Sequence, residues 1–256
     1  MKKREMEATL RTQDLTIHFG GLTAIKKVNF VLHPGEIKAL IGPNGAGKTT
    51  FFNLICGNLK PTEGKIFFQS EEITGLSPYA ICRKGISRTY QKTSLFPNLS
   101  VRENIRLGAH NGFGGKLHLF RRAETIPMAR KKVEEIMELV GLQEKAEQQV
   151  LNLSYGDQRL LEIAIGLSTN PQLLLLDEPT AGLSIAESRI MTAKIKDLAK
   201  RSIQNVIIVE HDMEVVRELA MSICVLSNGE ILTDGPAEEV KKNPKVQEIY
   251  WGIGEC

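Results

Sequence analysis

The sequence predicts an α/β fold in which a parallel-sheet core is interrupted by a helical block. Three observations carry this. Short apolar β-type runs alternate with helical periods near both ends of the 256-residue chain. A glycine-rich loop stands between one such run and a helix. A central stretch with 3.6-residue periodicity separates the two α/β parts. Hydrophobic residues make up 42% and charged residues 25%, so the chain has material for a core without metals or disulfides.

The elements follow in order. Leu10 to Phe19 alternates loosely and predicts a strand, as does Val28 to Leu32, before a turn at His33-Pro34-Gly35-Glu36. Ile37 to Ile41 predicts a short buried strand. Lys48 to Gly57 carries Phe51, Phe52, Leu54 and Ile55 and predicts a buried helix. A turn at residues 60–64 precedes a strand ending at Phe68, and Pro78 to Lys84 is expected to be a short helix. Ala129 to Val140 has Val133, Ile136, Met137 and Val140 on one helical face. Gly108 to Pro127, rich in Gly, Arg and Lys, is expected to be a surface loop. Asp157 to Thr169 predicts a helix, and Leu173 to Leu176 a parallel strand covered on both faces. Glu187 to Lys200 is an amphipathic helix, Val206 to Val209 a second buried strand, and Met213 to Ala220 a helix. Ile223 to Leu226 and Glu230 to Leu232 read as strands about an Asn228-Gly229 turn. The helical block is expected over 85–165, between core segments 1–84 and 166–256 of a single domain.

Charge and cysteine use exclude several classes. Lys and Arg total 33 against 30 Asp and Glu. That balance does not advertise a nucleic-acid partner, and the basic Lys2-Lys3-Arg4 is read as a solvated terminus. Cys56, Cys82, Cys224 and Cys256 have no metal-ligand or redox spacing. The basic start runs into Glu5 and Glu7 without a signal-type apolar stretch. Apolar runs such as Leu173 to Leu176 fall far short of the ~20 residues of a membrane span. The expectation is a cytosolic protein, or one attached to a membrane through partners.

Two motifs carry chemistry. Gly42-Pro43-Asn44-Gly45-Ala46-Gly47-Lys48-Thr49 fits G-x-x-x-x-G-K-[ST], with Thr50 next to it. Glycines let the backbone curl so that N–H groups point at phosphate oxygens, and the following helix aims its positive end at the same place. Lys48 can reach the β- and γ-phosphates, and the Thr49 hydroxyl can ligate Mg²⁺. The second motif is Asp177-Glu178-Pro179, directly after the four-leucine strand. A carboxylate at the carboxyl end of a buried parallel strand lies where α/β sheets bind ligands. Asp177 is expected to hold Mg²⁺ and Glu178 to polarise an attacking water.

Leu153-Ser154-Tyr155-Gly156-Asp157, ahead of the helix leading to the acidic strand, resembles the LSGGQ signature of ABC ATPases. The resemblance covers nearly the whole chain, in the family's order. It implies a P-loop NTPase core with an inserted helical subdomain and an antiparallel β part, binding ATP and Mg²⁺. It further implies that Phe19 stacks on adenine and that Gln91 is the Q-loop glutamine, contacting Mg²⁺ and water. Ser154 and Gly156 would bind the γ-phosphate of ATP held on a second subunit. Ala181 to Ser184 would be the D-loop and His211 the switch histidine. Two positions depart from the pattern: Asp157 stands where the signature has Gln, and Ser184 where the D-loop has Asp or Asn; Tyr155 in place of Gly is a common variation.

Within the family, Arg88 to Val101, Glu210 to Met213 and the stretches Asn243 to Val246 and Tyr250 to Gly252 look like the LivG-type subunit of branched-chain or hydrophobic amino-acid importers. The urea-importer ATPase is similar over the same stretches, and a soluble ABC ATPase and a catalytically dead subunit remain as alternatives. The resemblance implies transmembrane permease partners, a second ATPase subunit with a paralogue preferred over a second copy, and an indirect link to an extracytoplasmic substrate-binding protein. It places the chain at the cytoplasmic face of the cell membrane.

Overall fold

The computed structural model describes residues 8–89, 95–112, 127–203 and 205–251. The strands are β1 Leu10–Phe19, β2 Leu22–Val28, β3 Val31–Leu32, β4 Ile37–Ile41, β5 Glu63–Phe68, β6 Glu71–Glu72, β7 Ile86–Arg88, β8 Leu173–Asp177, β9 Asn205–Val209, β10 Ser222–Ser227 and β11 Glu230–Pro236. The helices are α1 Lys48–Ile55, α2 Pro78–Arg83, α3 Val101–Gly112, α4 Pro127–Val140, α5 Tyr155–Ser168, α6 Ile185–Arg201, α7 Met213–Leu219, α8 Ala237–Val240 and α9 Pro244–Trp251. The chain divides into two compact units. One comprises the described residues up to Ile81 and from Asn205 on, and the other runs from Cys82 to Ile203.

The first unit holds an antiparallel sheet and a mostly parallel one. In the antiparallel sheet β1 lies between β2 and β5, with Phe19 opposite Leu22 and Leu10 opposite Phe68. The loose alternation of β1 has a physical source. Thr12 and Thr16 are buried along with Leu10, Leu15 and Ile17, and Thr12 is satisfied locally: its Oγ1 donates to Val28 O over 2.8 Å and accepts from the Phe30 N–H over 2.9 Å. In the second sheet β4 lies parallel to both β9 and β10, with Leu40 opposite Val209 and Ile41 opposite Val225, and β11 returns antiparallel to β10. Phe30 and Phe51, 5.1 Å between ring centroids, and Phe52 fill the core of this unit. Lys38 is buried in β4 and paired with Asp234 at 2.6 Å, its Nζ also donating to Val31 O over 2.7 Å. Burial, opposed by the Lys38 charge, leaves the Asp234 carboxyl above its ordinary pKa.

The second unit pairs β7 parallel with β8, Ile86 opposite Leu173 and Arg88 opposite Leu175. All of β8 is buried, as an apolar run in a parallel pair requires. Helix α3 packs against both α4 and α5. At Gly108 of α3 an added Cβ would lie 2.4 Å from Ser168 Oγ of α5. The buried Asn104 ties the approach to α3, accepting from the Phe96 N–H over 2.9 Å and donating to Ser100 O over 2.9 Å.

Most expected elements are present, with shifted ends. Two expectations are corrected. The strand expected over Val28 to Leu32 is two pieces, because β2 ends at Val28 and β3 begins at Val31. Lys27, at φ 45°, turns the chain there, and the exposed lysines of β2 hide its strand pattern. The loop expected from Gly108 to Pro127 is helical at both ends: α3 continues through Gly112, and Pro127 begins α4. Gly108 serves close helix packing there, and proline is favourable in a first helical turn. Residues 113–126 lie outside the described residues. No helix among the described residues is long and apolar enough to cross a membrane.

Candidate nucleotide site

The glycine-rich loop leaves β4 at Gly42 and enters α1 at Lys48, so a buried strand and a buried helix fix both of its ends. Two of its glycines have a steric reason. A Cβ on Gly42 would sit 2.3 Å from Leu226 O. Gly47 has φ +106°, where an L side chain is strained, and a Cβ there would sit 2.7 Å from Ala24 O. The loop is also tied to the β10–β11 turn, since the Gly229 N–H donates to Ala46 O over 3.1 Å and the Lys26 N–H to Gly229 O over 2.8 Å.

Gly47 is the N-cap of α1, and no side chain caps the helix. A helix start of this kind, opening on a glycine-rich loop, is the arrangement that suits an anion. Lys48 is nearly buried, and its Nζ donates to Gly42 O over 2.6 Å and Pro43 O over 3.1 Å, which holds the ammonium over the loop. Pro43, Asn44, Gly45 and Thr49 are exposed, and Thr50 is half-buried.

Two further candidates belong to the same unit. His211 follows the carboxyl end of β9, which lies beside β4, so the histidine and the loop leave neighbouring parallel strands at the same end. His211 is exposed, and its N–H donates to the carboxylate of buried Glu210 over 3.2 Å. Phe19 closes β1 with its ring 47% exposed, paired in register with exposed Leu22. An exposed aromatic at a strand end offers a stacking face.

The second unit carries the remaining candidates. Asp177 ends β8, with its N–H donating to Thr89 Oγ1 over 3.3 Å. Its carboxylate accepts from Arg88 Nη2 over 2.7 Å, and both side chains are 5% exposed. This arginine partner was not anticipated; its signal is the basic residue at the end of β7, opposite Leu175 in a parallel register. Glu178 has φ +49°, a left-handed conformation rare for glutamate. Backbone held this way clusters at functional sites.

The structure places the departing residues in definite roles. Ser154 is the N-cap of α5, its Oγ accepting from the Asp157 N–H over 3.2 Å and its hydroxyl donating to Asp157 Oδ2 over 2.6 Å. Lys145 then pairs with the Asp157 carboxylate at 2.5 Å. Ser184 is the N-cap of α6 in a full capping box with Glu187. Tyr155 accepts from Arg159 through its hydroxyl over 2.7 Å and covers Gly182, where a Cβ would lie 3.1 Å from the ring. A Cβ on Gly156 would meet Glu187 and Leu183 at ordinary contact distance, so the starts of α5 and α6 lie close together within this unit. Gln91 lies outside the described residues. Among the described residues, no cluster of three or more His, Cys, Asp or Glu side chains could hold a metal ion. An ion here would need hydroxyl, phosphate and water oxygens beside a carboxylate, the habit of Mg²⁺.

The family model described as ABC transporter matches residues 25–181. The high-affinity branched-chain amino acid transport ATP-binding protein LivG of Escherichia coli is 40% identical over 250 residues, covering 95% of this chain and 97% of that protein. A nucleotide-free ATP-binding cassette from an ABC transporter superposes with a TM-score of 0.84 at 31% identity, covering 97% of this chain and all of the other. A dimeric post-hydrolysis state of the ATP-binding cassette MJ0796, bound to ADP and Pi, superposes at 0.75 with 27% identity, covering 89% and 98% of the two chains.

Proposed function

We propose, for a chain that belongs to the ABC transporter family, that it is the ATP-hydrolysing subunit of a membrane importer of branched-chain or other hydrophobic amino acids. The observation that carries this is the phosphate loop: curled backbone, an α1 start with no side-chain cap, and a lysine held over the loop. The kinship to LivG carries the substrate class.

In this reading the N–H groups of residues 42–49 and the Lys48 ammonium bind the β- and γ-phosphates, with Thr50 in the same helical turn. Phe19 stacks on the adenine. The Thr49 hydroxyl and the Asp177 carboxylate are hard oxygen donors suited to Mg²⁺ and, with Gln91, would hold the ion, whose charge would offset that of the phosphates. Glu178 accepts the proton of the attacking water, oriented by its left-handed backbone. His211 donates to the γ-phosphate. Ser154 and Gly156, at the start of α5, bind the γ-phosphate of ATP carried by a second cassette. The dimeric MJ0796 cassette supports that arrangement. Ser184 is engaged by its own helix, which leaves it less to offer across a dimer. Permease subunits would take up the motion at the cytoplasmic face of the membrane, and an extracytoplasmic binding protein would deliver the substrate.

The test is phosphate release by the purified chain with ATP, with and without Mg²⁺, for wild type and Lys48→Ala. The expected outcome is Mg²⁺-dependent hydrolysis that falls roughly 100-fold or more in the variant, as when one charged contact to a developing anion is removed. Equal rates for the two proteins would contradict the assignment of the phosphate loop.

A further inference from the structure

The first turn of α5 joins a hydroxyl, an acid and an amine in one chain of contacts. The Ser154 hydroxyl donates to Asp157 Oδ2 over 2.6 Å, and the Asp157 N–H returns to Ser154 Oγ over 3.2 Å. On its other side the same Oδ2 accepts from Lys145 Nζ at 2.5 Å. Lys145 ends a short 3₁₀ turn, Gln143–Lys145, twelve positions back along the chain. The Asp157 side chain is 16% exposed and that of Lys145 42%. Burial pushes the Asp157 carboxyl up. The hydrogen bonds from Lys145 and Ser154, with the lysine charge, outweigh burial and hold it below its ordinary range. Asp157 is therefore an anion at neutral pH.

An anion in this place conflicts with phosphate binding. The helix start and the Ser154 hydroxyl attract a phosphate, whereas a bare carboxylate in the same turn repels it. Serine has one O–H proton to donate, and here it goes to Asp157. Lys145 changes that balance by supplying the opposite charge to the same oxygen. It weakens the carboxylate as an acceptor for Ser154 and cancels its field at the helix start. We propose that Lys145 is a positioning residue for the Ser154 phosphate contact: by neutralising Asp157, it makes an acid in the signature turn compatible with ATP bound by a second cassette. The inference rests on the reading that Ser154 contacts that phosphate.

The experiment uses the full chain carrying Glu178→Gln, expected to bind ATP without turning it over. ATP-dependent dimerisation is measured by analytical ultracentrifugation for this parent and for Lys145→Met, Lys145→Arg, Asp157→Asn and Lys145→Met/Asp157→Asn added to it. Thermal unfolding of each is recorded alongside. Lys145→Met is expected to raise the ATP concentration at half-dimerisation roughly tenfold, the partly exposed charge being discounted for screening. Lys145→Arg keeps the parent value. The double variant returns to within about twofold of the parent, because removing the acid removes the need for the lysine. The proposal is overturned if Lys145→Met dimerises like the parent. It is equally overturned if Asp157→Asn fails to rescue Lys145→Met and the loss follows the melting temperature, which would make Lys145 a tie for the 3₁₀ turn alone. A parent that does not dimerise with ATP overturns pairing between two copies of this chain, and with it the inference in the form tested here; a parent that does dimerise leaves the variants to judge Lys145.

Discussion

At the scale of single residues, the candidate site depends on backbone that only certain side chains permit. Gly47 combines φ +106° with a close approach to Ala24 O. Gly47→Ala is predicted to cost about 1–3 kcal/mol in backbone strain before any clash is relieved, and to displace the loop that binds phosphate. Urea unfolding with ATP-binding measurements checks this; a variant as stable as wild type with unchanged affinity would contradict it. The motif made Gly42, Gly47, Lys48 and Thr49 legible in the sequence, because their spacing has one physical use. Lys145 was not legible. Its contact with Asp157 spans separate turns of the chain, and neither residue's spacing marks it. The left-handed Glu178 was equally hidden, since glutamate carries no local signal for positive φ.

At the scale of elements, the β7–β8 pair is held by a buried ion pair as well as by its ladder. Arg88 at the end of β7 meets Asp177 at the end of β8, both out of solvent. Removing one partner of such a pair leaves the other charge buried, which costs about 3–5 kcal/mol. Arg88→Met is therefore predicted to lower unfolding stability by that order, measured by urea denaturation. A loss below about 1 kcal/mol would mean that solvent already reaches Asp177. The sequence gives β8 away through four consecutive leucines, and β4 and β9 through similar runs. It hides β2, whose lysines face solvent and whose end is turned by Lys27 at φ 45°. It hides α3, over which no helix was expected; glycine at 108 reads as a loop residue, when its use is close packing against Ser168. The expected starts of α5 and α6 fall two residues late, because Ser154 and Ser184, like Asp212 before α7, sit ahead of the apolar period and accept from an N–H of the first turn.

At the scale of the whole molecule, the account joins a phosphate loop, an acidic strand end and a signature turn into one hydrolytic function. Their order along the chain was enough to identify the family, because each motif is short and local. The partner each motif acts with is not local, and the sequence carries no spacing rule for it. If Ser154 and Gly156 serve a nucleotide on a second cassette, a lone chain holds half of each working site, and activity must depend on association. The measurement that tests this most directly is the Mg²⁺-dependent ATP hydrolysis rate per chain as a function of chain concentration, with Glu178→Gln run beside wild type on size exclusion in ATP. The account predicts a rate per chain that rises with concentration toward a plateau, and a Glu178→Gln protein that is inactive yet elutes as a dimer only with ATP. A rate per chain independent of concentration, with Glu178→Gln monomeric in ATP, would contradict it.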